Sequence, residues 1–291
     1  MLAWAISWPL IRYGVASVPP IWYACFRYAI AAPCLFLLVG LRRELAFPPR
    51  ADWPLILVSG GMQMGVYSAL TSLALTRLPA GRASVLAFST PIWVIPLAHR
   101  WLEEKVTRNG WFGLALGVAG AWLIAAPSLR GGTQGQVLAC AALLVAAMAC
   151  ALSIVRVRLH RFTASPLALA PWQCLVAIAL LLPCALLLED YPPRIGAAAA
   201  WSLAYVGPIA TAFAYWAVVE AGTRLRASEV SMALLATPPV GILISVLTAH
   251  ESVDASLVAG ASLTGAGIFL ATRSARARTA EQRNESPVPC D

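Results

Sequence analysis

Apolar runs of membrane-spanning length alternate with short stretches rich in Arg, Pro and Gly along this chain. A helix that crosses a bilayer needs about 20 apolar residues. Turn residues and charges cut the sequence into ten such runs, near 1–16, 20–41, 54–75, 81–99, 107–126, 135–155, 166–188, 197–219, 228–249 and 253–272. The first is short; it either starts at the membrane surface or lacks some N-terminal sequence. From Arg273 onward the chain turns polar, and disorder is expected there.

The stretch 74–123 recurs in constant register at 221–270, with about a third of positions identical. Thr76-Arg77-Leu78 meets Thr223-Arg224-Leu225, Ala80 meets Ala227, and Ser84 meets Ser231. Thr90-Pro91 meets Thr237-Pro238, Glu104 and Val106 meet Glu251 and Val253, and Gly113 and Gly120 meet Gly260 and Gly267. An Ala- and Leu-rich composition produces scattered matches but does not bring Pro, Glu, Arg and both glycines into register. A weaker echo, Ala3, Ala5, Ser7 and Arg12 against Ala149, Ala151, Ser153 and Arg158, extends the duplication to the first run with the register one position shorter. The expected units are therefore residues 1–126 and 133–273, five spans each, followed by a disordered tail at 274–291.

Charge gives these units a direction. Arg42, Arg43 and Arg50, then Arg100, Lys105 and Arg108, then Arg156, Arg158 and Arg161, Arg224 and Arg226, and the tail place about 15 cations in alternate loops. The intervening loops hold about four: Arg77, Arg82, Arg130 and Arg194. Positive charge stays inside, which puts both termini in the cytoplasm of a bacterial-type inner membrane. Five is an odd number, so the second unit enters from the opposite face. The expected fold class is an all-α integral membrane protein of ten transmembrane helices arranged as two inverted five-helix repeats.

Composition agrees with that picture. The chain has 291 residues, 60% hydrophobic and 12% charged, with mean hydropathy +0.75, against about 25% charge in a soluble domain. Net charge +8 is spread through the loops rather than gathered in a patch, which argues against nucleic acid. The N-terminal run has no charged leader and no small-residue cleavage site, so it reads as a span rather than a signal peptide. Six of the seven cysteines lie in apolar runs and no C-x-x-C occurs. Neither a disulfide nor a metal site is expected, and no cofactor.

The motifs in these runs resemble the drug/metabolite transporter superfamily in its EamA-type branch. Ser7-Trp8-Pro9 resembles that family's Trp-Gly element, with Pro in place of Gly. Phe26-Arg27-Tyr28 resembles its Arg-Phe element, and Trp172-Gln173 stands at the matching place in the second half. Thr90-Pro91 with Glu104, and Thr237-Pro238 with Glu251, resemble its signature around spans 4 and 5. Within the branch the chain looks most like the YddG-type exporters of aromatic amino acids. The resemblance implies alternating access through a midplane cavity between spans 1, 3, 4, 6, 8 and 9.

The candidate residues follow from placement. Pro91 and Pro238 are expected to free the carbonyls of Ala87 and Leu234 at mid-span, as hinge and lining elements or as tolerated transmembrane prolines. Ser59, Gln63, Tyr67 and Thr71 form a stripe with four-residue spacing in span 3. With Trp8, Phe88, Thr90 and Trp93, and with Thr211 and Tyr215 of span 8, Gln63 and Tyr67 are candidate cavity-lining, substrate-binding residues; interhelical packing is the alternative. Arg12, Arg27 and His99 are possible charge partners, the arginines either snorkelling or attracting a carboxylate. Trp22, Tyr23, Trp53, Trp101, Trp111 and Tyr191 are assigned to the interfacial aromatic belt. Gly113, Gly117 and Gly120 with Gly260, Gly265 and Gly267 mark spans 5 and 10 as a close-packed scaffold.

The function these features predict is export of small amphipathic metabolites, above all amino acids including aromatic ones, with the lipid bilayer as surroundings and the oligomeric state left open. A multidrug carrier would want a mid-span Glu and a nucleotide-sugar carrier a basic cavity, and neither is visible. An intramembrane enzyme is disfavoured because H-E-x-x-H, G-x-S-x-G and a phosphate-binding Gly-Lys loop are all missing. A non-transporting scaffold stays open at this point.

Overall fold

The computed structural model describes residues 1–103, 106–190, 193–224, 237–249 and 254–285, and every regular element among them is a helix. In chain order these are α1 (Leu2–Val15), α2 (Pro20–Leu41), α3 (53–75), α4 (Ala80–Trp101), α5 (Arg108–Gly131), α6 (Gln134–Leu159), α7 (Pro166–Leu188), α8 (197–224), α9 (described over Thr237–Ala249) and α10 (Ala255–Glu285). Among the described residues α2 and α4 to α8 are long and apolar enough to cross a membrane, and Thr237–Thr248 and Ala255–Leu270 are shorter apolar helices. At 14 residues α1 is about 21 Å long, short of the ~30 Å hydrocarbon core. In place of the expected disorder from residue 274, α10 continues to Glu285. Its Ala, Arg, Glu and Gln residues are good helix formers, which accounts for the continuation. Glu104, Lys105, Tyr191, Leu225, Arg226, Ala227, Ser231, Leu234, Glu251 and Val253, named above, lie outside the described residues.

Proline and threonine set the helix starts. Pro20, Pro54, Pro91 and Pro166 occupy the first turns, where a missing N–H costs nothing. Thr107 caps α5 by accepting from Gly110 N at 3.0 Å, and Asp254 caps α10 by accepting from Leu257 N at 2.9 Å. Those two caps occupy the same position in the repeat.

The repeat register relates a rarer feature as well. Ser59–Val66 in α3 and Val206–Phe213 in α8 are both π-helical. Each has glycine at its second position, pressed against a neighbour. A Cβ on Gly60 would meet Gln173 O of α7 at 2.6 Å, and one on Gly207 would meet Ile30 of α2 at 2.7 Å and Arg27 O at 3.4 Å. Gly60-Gly61 weakens the α-helical preference in the first stretch, and Pro208, without an N–H, cannot bond the carbonyl four residues back in the second.

Helix packing repeats in the same sense. α1 packs on α9 as α4 packs on α6, α2 packs on α8 as α7 packs on α3, and α3 packs on α6 as α8 packs on α1. α2 with α7, and α5 with α10, are each their own counterpart, and among the described residues α5–α10 is the most extensive contact. There the glycines meet: Gly267 abuts the backbone of Gly113 and Gly117, and Gly120 abuts Gly260 and Thr264. Exchanging the halves in the repeat register turns the Gly113–Gly267 pair into Gly260–Gly120.

Polar clasps tie helix ends at both ends of the bundle. At one end Glu189, after α7, accepts from Ile21 N and Trp22 N at 2.9 Å each, capping α2. Nearby in the alternation of helices, Tyr13 donates to Thr248 O at 3.1 Å and Arg82 pairs with Asp254. At the other end Asp52, fully buried, accepts from Ala164 N at 2.9 Å and Thr163 N at 3.2 Å and lies 2.7 Å from His160 Nε2. Burial pushes the Asp52 carboxyl up, but the bonds from His160, Ala164 and Thr163 outweigh it and hold the group below the ordinary carboxylate range. A left-handed Arg43 (φ 58°) closes α2, with Glu44 N bonded to Val39 O, and Glu44 is thereby brought to the Ser165 hydroxyl at 2.9 Å.

Two expectations are corrected. Trp22 and Tyr23 were expected at the interface, yet both are buried: Trp22 stacks on Phe26 at 5.5 Å and the Tyr23 hydroxyl meets Ser202 at 2.5 Å. The start of α2 lies inside the bundle, where it packs against α8. Nor is the Ala87 carbonyl free. α4 breaks at Phe88-Ser89 and restarts at Thr90, and Thr90 Oγ1 donates to Ala87 O at 2.9 Å while Ser89 Oγ donates to Leu86 O at 2.5 Å. The Thr90 hydroxyl, next to the proline, takes over the one bond that Pro91 removes.

Candidate functional site

The π-helical stretch of α8 turns Thr211 into a relay. Its hydroxyl donates five residues back to Val206 O at 2.8 Å and accepts from Arg27 Nε of α2 at 2.7 Å. The neighbouring carbonyl, Ala210 O, takes the Trp4 indole N–H of α1 at 2.7 Å. In α3 the matching stretch holds Ser59 and Gln63, and the buried Ser153 hydroxyl of α6 lies 3.1 Å from both Ser59 Oγ and Gln63 Oε1. Widened turns frequently mark functional sites because they redirect side chains and carbonyls out of the regular ladder.

Around Arg27 the candidate residues come together. Its guanidinium sits 5.5 Å above the Tyr28 ring, and its charge reaches Tyr23, Tyr67 and Cys174. Tyr28 is tied to Ser68 of α3 at 2.6 Å. Tyr67 in turn neighbours Cys150 of α6, whose thiol contacts the Thr90 hydroxyl, and Cys174 neighbours Tyr215. Tyr67, Thr90 and Tyr215 are thereby linked to Arg27 through its charge and through Cys150 and Cys174 in one polar patch, and of the four candidates only Thr211 is hydrogen-bonded to Arg27. Trp8 and Phe88 face each other at 6.1 Å, tilted by 52°, in the apolar cluster that also takes Tyr67. The side-chain polar atoms of Thr71 (α3), Trp93 (α4) and Trp216 (α8) are buried without a hydrogen-bond partner. Each such group costs about 1–3 kcal/mol until something bonds it.

Other candidates fall elsewhere. His99 is exposed at the end of α4, edge-on to Trp111 at 6.0 Å, and Arg12 lies half-buried in the last turn of α1. Pro91 is in the first turn of the second half of α4, and Pro238 is in the first described turn of α9 after the buried Thr237. Trp4, Ser153, Cys150 and Cys174 were not singled out from the sequence. Trp4 and Cys150 face the two π-helical helices from equivalent places in α1 and α6, a signal that the weak echo between those helices already carried.

An open concavity lies away from this patch. Along α5, Trp111, Leu114, Val118 and Trp122 line an open, almost wholly apolar groove of about 740 Å³ on the face opposite Gly113 and Gly120.

Residues 1–126 and 137–273 both match the model of the EamA-like transporter family, one match for each half. The chain belongs to the EamA-like transporter family. Among EamA relatives it is 30% identical over 302 residues to the probable terminal-alkyne amino-acid exporter of Streptantibioticus cattleyicolor, covering 99% of this chain and 95% of that one. It is 26% identical over 273 residues to the transporter YoaV of Bacillus subtilis, with 93% of each covered. To the probable amino-acid metabolite efflux pump of Salmonella typhimurium it is 25% identical over 287 residues, covering 93% and 91%. One crystal structure shares the fold at TM-score 0.65 and 20% identity, covering 94% of this chain and 95% of the other. This EamA protein is a multi-pass membrane transporter and not an enzyme.

Proposed function

We propose that this EamA-type transporter exports amino acids, aromatic ones among them, from the cytoplasm by alternating access. The two π-helical stretches, at equivalent positions of the two halves, carry the reading. In this reading Gln63 and Thr211, one position apart in the repeat register, offer hydrogen-bonding side chains from α3 and α8. Two relatives named for amino-acid or amino-acid-metabolite export support the substrate class.

In this reading ten spans form two inverted five-helix units, and both termini are cytoplasmic. The exchange of contacts between the units supports inversion, and the charge bias of the loops supports the orientation. Inverted repeats permit two mirror-related conformations, each opening one face. α5 and α10 hold the units together, while the break of α4 just before Pro91 serves as a hinge, with Pro238 as its counterpart in α9. Trp8, Phe88, Trp93, Tyr67 and Tyr215 supply apolar walls, and Gln63, Thr90 and Thr211 supply polar contacts.

Uptake into proteoliposomes tests the proposal: labelled phenylalanine, tryptophan, threonine and methionine should enter faster than into empty vesicles. Absence of flux for all four would refute the substrate class. Repeating the measurement with and without a pH gradient separates uniport from proton coupling.

A further inference from the structure

We propose that Arg27 is the carboxylate anchor of the transported solute, gripping it through Nη1 and Nη2 while Thr211 holds Nε. The inference rests on the amino-acid reading and assigns the residue that recognises the acid group.

Arg27 is the eighth residue of α2, about 10 Å along the helix from its start, and is half-buried. A guanidinium does not give up its proton in a protein, so it stays charged there. Buried charge is costly unless paired. Yet the partners of Arg27 among the described residues are the Thr211 hydroxyl and the Tyr28 ring, both neutral. The other groups its charge reaches, Tyr23, Tyr67 and Cys174, are two phenols and a thiol rather than carboxylates. No carboxylate among the described residues pairs with it.

Thr211 makes the geometry specific. Its proton is committed to Val206 O, so its oxygen faces Arg27 as an acceptor and fixes the plane of the guanidinium. The four N–H groups on Nη1 and Nη2 then form a fork that matches the two oxygens of a carboxylate. One cation, with no second basic side chain among the described residues of the patch, suits a single negative charge better than a phosphate dianion.

The other half sharpens the assignment. Gly60 presses on the backbone of Gln173 as Gly207 presses on that of Arg27, so position 173 is the structural counterpart of position 27. The first half presents a cation there and the second a buried neutral amide. A solute bound between them has one preferred direction, acid group toward α2 and α8.

Binding to the purified protein in detergent, read by tryptophan fluorescence, tests this with phenylalanine and phenylalaninamide as paired probes. The wild type should bind phenylalanine at least about tenfold more tightly than the amide, and Arg27→Gln should erase that preference. Arg27→Lys should keep part of it. Thr211→Val should weaken phenylalanine several-fold while the thermal midpoint holds. If Arg27→Gln fails to fold, Arg27→Lys and Thr211→Val decide on the same ratio. Equal losses for acid and amide in these variants mean a structural role and overturn the anchor. A wild-type preference for the acid that survives Arg27→Gln also overturns it and leaves amino-acid export standing. A wild type that neither binds nor carries any of the four amino acids overturns the export reading and the anchor with it.

Discussion

Gly267→Ala tests the claim that α5 and α10 are a rigid seam. The added methyl would sit 2.6 Å from Gly117 N and closer still to the Gly113 carbonyl oxygen, where ordinary contact begins at 3.4 Å. Both obstacles are backbone, so no side chain can swing aside, and the helices must part by roughly 1 Å, a gap that forfeits about a quarter to a half of each dispersion contact along the seam. Overpacking of this kind costs about 1–3 kcal/mol, offset by up to about 1 kcal/mol of improved helix propensity. The internal control is Gly265→Ala, two residues away, whose methyl meets nothing within 4 Å and keeps only the propensity gain. Intrinsic-fluorescence melting of the two variants in the same detergent should separate their midpoints by several degrees, Gly267→Ala below wild type and Gly265→Ala at or above it. Equal midpoints, or the reverse order, would refute the seam. Apparent KM for transport should not move in either variant, because neither residue belongs to the polar patch.

Three more outcomes follow from the geometry. Pro91→Ala restores an N–H that competes with Thr90 for Ala87 O and lets α4 run straight; turnover should fall several-fold with the thermal midpoint unchanged or raised. Asp52→Asn should lower the midpoint at pH 7 by the equivalent of about 1 kcal/mol, since charge-assisted bonds to His160, Thr163 and Ala164 are lost. Because the Asp52 carboxyl is held below its ordinary range, its contribution is present above about pH 4 and disappears as pH falls through the folded-state value, so wild type and variant should converge in acid. Thr107→Ala and Asp254→Ala each remove the cap at equivalent helix starts; the first should cost about 1 kcal/mol in the same melting assay and the second more, because it also takes the ion-pair partner from Arg82.

Much of the helix layout was legible because bilayer thickness imposes a length on every apolar run. The runs expected at 20–41 and 166–188 coincide with α2 and α7 as observed. Tyr67, Thr90, Thr211 and Tyr215 were legible as polar or aromatic interruptions in those runs. What could not be read was which interruption bonds which. Thr90 looked like a neighbour of a freed carbonyl and is the group that closes it. Arg27 looked equally able to snorkel, and its setting among neutral groups emerges only when α2 packs on α8. Trp22 and Tyr23 look like belt residues from their place at a helix start, and burial there depends on the neighbours alone.

The sequence by itself determined that this chain is a duplicated, helical membrane protein, because apolar length, loop charge and a constant register are local properties that survive without coordinates. Tertiary structure decided where helices depart from regularity. The π-helical stretches of α3 and α8 have no period of their own in the sequence; within them Gly60 and Gly207 lie so close to α7 and α2 that a Cβ would clash. The bond from Arg27 to Thr211 likewise exists only because α2 packs on α8, a contact that the order of residues along the chain does not reveal.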